Sequence, residues 1–260
     1  MSQTLTKAGQ AQVETTTAPQ LAQVTSSAAN LRDSQQQERR GEEITYDKAK
    51  SDKLVEIITA TGGKEYDVSV KYGDVDPKTG VGPVRMLEEL INASGIKTVK
   101  VTGVYREGLA KSVTEVQREA DTRMTREGKE AGGQTYAALT IRALENGKLH
   151  FTDPSLESKW EQALPLLKVL VNPQAGELIN SRLANPITNG FEPATAPESR
   201  IRATQEILKS TGYYSGEVDG IIGKDYRAGL AAFIEAKTGQ KFDGVGGSNT
   251  VRALLEAYLK

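Results

Sequence analysis

Apolar residues recur at helical spacing in several stretches of this chain and alternate with polar ones in others. Leu54, Ile57 and Ile58 fall on one side of a helix predicted over 51–61, stopped by Gly62-Gly63. Tyr66, Val68 and Val70 alternate with polar neighbours, as in a half-buried strand. Asp74 to Gly80 reads as a turn. Pro83 opens a second helix with Val84, Leu87, Leu90 and Ile91 inward and Gly95 as its stop. Val99, Val101, Gly103 and Tyr105 suggest another strand. Ser112-Val113-Thr114-Glu115 has capping-box spacing, which places the next helix from Ser112 with Val113, Val116, Ala120 and Met124 inward. Tyr136 to Leu144, Asn146-Gly147 and Leu149 to Phe151 predict a hairpin around a tight turn. Helical spacing returns over 153–185 through Leu156, Trp160, Leu164, Leu167 and Leu170, with Pro165 expected to kink or divide it.

The ends of the chain differ from this middle. Ser, Thr, Gln and Ala supply 24 of the first 40 residues, and large apolar ones are sparse, among them Leu5, Val13, Leu21, Val24 and Leu31. Such a segment cannot offset its ordering entropy by burying its own side chains. It is expected to be an extended assembly arm that orders against a partner chain. Gly190 to Pro197, with two prolines and small residues, reads as a linker. The expected fold class is α+β: an arm over 1–41, a mixed α/β middle domain over 42–189, a linker over 190–197 and a three-helix unit over 198–260.

The last unit carries the most specific pattern. Its helices are predicted from Pro197 (Ile201, Ile207 and Leu208 inward, stop at Gly212), from Asp225 (Leu230, Phe233 and Ile234 inward, stop at Gly239) and from Ser248 (Val251, Leu254, Leu255 and Tyr258 inward). The two connections match. Val218-Asp219-Gly220-Ile221-Ile222-Gly223 and Phe242-Asp243-Gly244-Val245-Gly246-Gly247 place Asp-Gly 24 residues from Asp-Gly, each with a Gly three residues later. Asp bonds its own backbone and Gly supplies positive φ, so each is a tight turn into a helix. With Gly212-Tyr213-Tyr214 before and Gly229-Leu230-Ala231-Ala232-Phe233-Ile234 between, the region 198–260 resembles the small three-helix peptidoglycan-binding domain of cell-wall hydrolases. Tyr226, Gly229 and Ile234 depart from that family's usual Thr, Ala and Gln. The resemblance implies noncatalytic binding of peptidoglycan at the loops and helix starts. Tyr213, Tyr214, Asp219, Asp225, Tyr226 and Asp243 are the candidate contacts, with Tyr to stack on a sugar or cover a stem peptide and Asp to accept hydrogen bonds. A purely structural role for Asp219 and Asp243 as turn formers stands beside this.

Composition removes most chemistry. Lys plus Arg is 33 against 34 for Asp plus Glu, a net charge of −1, which argues against a nucleic-acid binder or a polybasic membrane-surface protein. There is no cysteine and only one histidine, His150, so no thiolate centre or multi-histidine zinc site is expected, and no cofactor. Asp74-x-Asp76 with Gly80 lacks the remaining ligands of a calcium loop. The polar start contains no apolar stretch of a secretory signal, so synthesis in a host cytoplasm without export is expected. The combined expectation is a noncatalytic bacteriophage virion protein, tail-associated or structural and multimeric, that assembles with other virion proteins and binds peptidoglycan. Its rivals are a lysin with a glycosidase in 42–190, needing two facing carboxylates, and a C-terminal unit that serves only as a protein–protein joint.

Overall fold

A computed structural model of the chain describes residues 41–60, 70–78, 80–119, 128–171, 179–180, 198–239, 241–242, 245–246 and 248–260. The predicted arm up to residue 40, the linker, Tyr66, Val68, Met124 and Asp243 lie outside these described residues.

Helices dominate. α1 (Lys48–Thr59), α2 (Pro83–Ser94), α3 (Glu107–Glu119), α4 (Gly133–Glu145) and α5 (Pro154–Val171) precede α6 (Glu198–Ser210), α7 (Lys224–Thr238) and α8 (Ser248–Leu259). The strands are pairs of two or three residues: β1 (Ile44–Tyr46) parallel to β4 (Leu149–Phe151), β2 (Val70–Lys71) antiparallel to β3 (Glu130–Ala131), and β5 (Ile179–Asn180) antiparallel to β6 (Val245–Gly246). The α+β expectation is thus met in its helices, with little sheet to balance them.

α4 is the central helix and packs against α1, α2, α3 and α5. It replaces the predicted hairpin. Its run from Thr135 to Ile141 is buried residue after residue. That obscures the helical period, and a short apolar run does not by itself distinguish helix from strand. Asn146-Gly147 does turn the chain, but as the exit from α4, and β4 then pairs with β1. The second departure is α3, which starts five residues before the capping-box serine. Ser112 is mid-helix and its hydroxyl donates to the Gly108 carbonyl, so the apparent cap is a helix-interior back-bond. The strand expected at Val99–Tyr105 reduces to a single antiparallel bridge between Val75 and Val104. α5 continues through Pro165 and ends at Val171, and Ile179–Asn180 further along is strand. The buried face of Trp160, Ala163, Leu166, Leu167 and Leu170 holds α5 together where proline removes one backbone bond.

The core is tied at Trp160. Its indole N–H donates to the Ser51 hydroxyl at 2.9 Å, joining α5 to α1, and Phe151 of β4 stacks on its ring at 5.5 Å. α8 packs against both α1 and α5 while also touching α6 and α7. The Tyr258 hydroxyl donates to Gln162 of α5, Lys159 lies over the Tyr258 ring, and the Lys48 ammonium donates to the Lys260 carbonyl. The three C-terminal helices therefore share their last member with the middle of the chain. Tyr258→Ala should remove about 3–5 kcal/mol, the usual cost of truncating a buried aromatic, and should lower one cooperative thermal transition of the whole described unit. Two transitions with only the weaker one shifted would contradict a shared core.

His150, opposite Thr45 in the β1–β4 pair, sits between two carboxylates. Its Nδ1 is 3.0 Å from Glu157 of α5 and its Nε2 is 3.6 Å from Glu43 before β1. The hydrogen bond to Glu157 is the main cause that raises its pKa, with partial burial opposing and both carboxylates adding. A folded pKa above the unfolded value of about 6.5 means that the clamp contributes fully below that pH. The contribution is lost as pH rises through the folded pKa. Glu157→Gln should bring the titration of this single histidine back toward its ordinary value in an NMR pH series; an unmoved midpoint would show that Glu157 is not the cause.

Candidate functional site

The C-terminal loops are organised from below by a glutamine. α6 buries Ile201, Thr204, Gln205, Ile207 and Leu208. Gln205 lies on this stripe, fully buried, and its amide is used on both sides. Oε1 accepts from the Gly220 N–H at 2.8 Å, while Nε2 donates to Asp219 at 2.7 Å and to the Ile221 carbonyl at 3.1 Å. The 219–221 turn is therefore wrapped around one side chain. Asp219 also accepts from the Ile221 N–H at 2.8 Å. The Gln205 amide, and then that N–H, hold its carboxyl below the usual range. Gly220 has φ +75, a conformation that favours glycine, and a Cβ there would push the exposed Glu198 side chain aside. Arg202 completes the support: it pairs with Glu198 and donates to the Val218 carbonyl at 2.7 Å.

This scaffold pushes one apolar side chain outward. Ile221 is 63% exposed at the turn, while its neighbour Ile222 packs against the core. Tyr214 is half-buried; its hydroxyl donates to the Glu217 carbonyl at 2.7 Å. Burial, then the carboxylates of Asp219 and Asp225, push its phenol up. Asp225 is exposed in the first turn of α7, where a negative charge suits the helix N-terminus. Tyr213 is half-buried and packs edge-on against the buried Phe233, with centroids 5.3 Å apart. Of the two adjacent tyrosines, Tyr213 is the one braced against the aromatic core.

The structure thus brings Tyr214, Asp219 and Asp225 to one surface with Ile221. It removes Tyr226 from that surface. Tyr226, taken from sequence as a contact beside the loops, is 1% exposed and fills the core, and burial pushes its phenol up. Its place in the first turn of α7 puts it on the same face as Leu230 and Phe233, one helical turn and two turns on. Gln205 was not among the sequence candidates. The signal was there: four residues after Ile201 and three before Leu208, it occupies an apolar-stripe position. Ile221 carried a weaker signal, since of two adjacent isoleucines in a tight turn only one can point inward.

The arrangement offers carboxylate acceptors, a phenol and an apolar tip, the chemistry of recognising hydroxyl and amide donors beside an apolar surface. Elsewhere, a shallow cleft of about 450 Å³ is lined by Ala49, Asp52, Lys53, Glu56, Val81 and Lys260, none of them from these loops. Its charged side chains pair locally, Lys53 with Glu56 and Lys260 with Glu256. Asp74 and Asp76, the pair with the faint calcium-loop spacing, are bound by backbone N–H groups instead: Asp74 by Lys71, Asp76 by Val84 and Arg85 at the start of α2. Among the described residues no cluster of three or more His, Asp or Glu is placed to hold a metal ion, and no helix is long and apolar enough to cross a membrane.

Residues 197–254 match the family profile described as putative peptidoglycan binding domain. The matched part covers α6, α7 and most of α8. No curated protein and no solved structure matches the chain. The chain carries a peptidoglycan-binding domain at its C-terminal end.

Gly229, where the family usually has Ala, has a physical reason. A Cβ there would lie 2.4 Å from the Tyr213 carbonyl oxygen, so α7 reaches the 213–214 loop only without a side chain. Ala normally stabilises a helix interior by roughly 0.5–1 kcal/mol over Gly. Here Gly229→Ala should destabilise instead, read as a lower denaturation midpoint; a gain would show that α7 and the loop are not in close contact. Gln205→Leu should cost about 1–3 kcal/mol by leaving the buried Gly220 N–H without a partner, whereas Glu206→Leu on the exposed side should change stability little.

Proposed function

We propose that the chain is a noncatalytic bacteriophage virion protein, tail-associated or structural, that holds host peptidoglycan through its C-terminal domain. The observation that carries the wall-binding surface is the turn locked by Gln205, which presents Ile221 with Asp219, Asp225 and Tyr214 around it in a domain of peptidoglycan-binding type. Hydroxyls, amides and amines of the glycan and its stem peptide are donors for the carboxylates, and a sugar face or an alanine side chain can cover the isoleucine. These are means of binding, and no bond cleavage is asked of them.

The virion half of the reading rests on residues 1–41. A segment this rich in Ser, Thr, Gln and Ala needs a neighbouring chain to repay its ordering. Particles built from many copies supply such neighbours, so other virion proteins and further copies of this chain are its partners. The middle domain extends that assembly surface, and the finished protein resides in the virion after synthesis in the host cytoplasm.

The test uses point substitutions in the full chain, because a chain cut at residue 192 would also lose α8 from α1 and α5. Sedimentation with insoluble peptidoglycan should retain the parent protein. Ile221→Asp combined with Asp225→Lys should weaken retention by about tenfold, the loss of one modest contact, with an unchanged melting temperature. Equal retention of parent and variant would overturn the surface named here and favour a domain used as a protein–protein joint. Clearing of a wall suspension by the parent protein would overturn the noncatalytic reading.

A further inference from the structure

Among the described residues four large apolar side chains are well exposed: Tyr72, Val75, Val101 and Ile221, at 55, 67, 41 and 63%. Ile221 belongs to the surface above. The other three lie on one ribbon of backbone. Gly73 N–H donates to the Tyr105 carbonyl at 2.9 Å, Tyr105 N–H to Asp74 at 2.8 Å and Asp76 N–H to Gly103 at 2.8 Å, around the Val75–Val104 bridge. Two buried carboxylates fix this ribbon to α2. Asp76 accepts the Val84 and Arg85 N–H groups at the helix start, and Glu88 accepts the Thr102 and Gly103 N–H groups and the Thr102 hydroxyl at 2.7–2.8 Å. The exposed side chains therefore stand on a held backbone.

Among the described residues the exposed charges around them are mostly cations, with Asp74 on the ribbon and Glu130, opposite Lys71 in the β2–β3 pair, as the anions beside them. Asp76 and Glu88 are consumed below, Asp74 accepts the Lys71 N–H within its own turn, and Glu107 pairs with Lys111. Lys71, Lys78, Lys100 and Arg106 are exposed, and none of them forms an ion pair among the described residues. In a chain of net charge −1 this is a local excess of outward cations around three exposed apolar groups.

We propose that residues 71–78 and 100–106 form a docking surface for an extended acidic segment of a partner protein, one with apolar side chains between its carboxylates. The carboxylates would meet Lys71, Lys78, Lys100 and Arg106, and the apolar side chains would cover Tyr72, Val75 and Val101. A polyanion without apolar groups satisfies only the first requirement, since Val75 and Val101 would stay in water. An extended chain suits the ribbon because successive side chains of a strand leave on opposite faces, so apolar and acidic positions can alternate. This surface shares no residue with the one proposed for peptidoglycan.

The experiment is fluorescence anisotropy on the full chain with a labelled peptide of alternating Glu and Val, beside an all-Glu peptide and inorganic polyphosphate. Saturable binding of the Glu–Val peptide is expected, weakened about tenfold both by Lys78→Gln with Lys100→Gln and by Val75→Ser with Val101→Ser. All four positions are exposed, so melting temperatures should hold, and sedimentation with peptidoglycan should be unchanged. Absence of saturable binding would overturn the proposal. So would equal binding of the all-Glu peptide or polyphosphate with no effect of the serine pair, which is charge attraction alone. Loss of peptidoglycan retention in these variants would overturn it too, by making the ribbon a second wall contact.

Discussion

The packing of the last helix conditions everything else in the described structure. α8 closes the three-helix arrangement with α6 and α7, and the same helix lies against α1 and α5. Val251, Leu254, Leu255, Tyr258 and Leu259 are all buried and recur at i, i+3, i+4, i+7 and i+8, so one apolar stripe of α8 is shared between the two groups of helices. The wall-binding turn is consequently not carried on a free module. Its base, α6, also packs on α5, so the turn has a fixed orientation to the body that holds the β1–β4 pair and the central helix α4. A binding surface on a rigid support loses less entropy on engagement than one on a tether.

A second constraint repeats at two places. Buried polar side chains shape exposed turns by accepting or donating to their backbone. Gln205 does this for residues 219–221 and Glu88 for residues 102–103, while Asp76, itself on the ribbon, ties it to α2 by accepting from the Val84 and Arg85 N–H groups. In each case the polar group is buried but satisfied, which avoids the penalty of a lone one. In each case an exposed apolar side chain stands on the anchored backbone. Among the described residues the two most exposed large apolar ones, Val75 and Ile221, both sit on anchored backbone of this kind.

The three C-terminal helices were legible in the sequence because spacing, glycine stops and Asp-Gly turns agreed there. Their observed starts fall at or within one residue of the predicted ones. The turn roles of Asp219 and Asp74 were legible for the same reason: Asp bonds its own local backbone. What could not be read was burial on all sides. α4 is enclosed by four neighbouring helices, so its pattern lost the polar face that marks a helix, and it resembled a strand. Tyr226 looked like a surface aromatic because it adjoins the turn, although its spacing to Leu230 and Phe233, four and seven residues on, already placed it on the inward face of α7. Gln205 was hidden by its polarity, although its position on the apolar stripe was plain. Ser112 shows the converse error, where a correct local spacing signalled a cap in the middle of a helix that starts at Glu107 and buries Leu109 and Ala110 ahead of it.

The most direct measurement of the central claim is a two-dimensional amide NMR titration of the full chain with a soluble disaccharide–peptide fragment of peptidoglycan. The account predicts saturable shifts concentrated in residues 213–225, including Gly220 and Ile221, with the 71–78 ribbon unaffected. Shifts that saturate elsewhere on the chain, or none at concentrations that saturate the insoluble polymer, would contradict it.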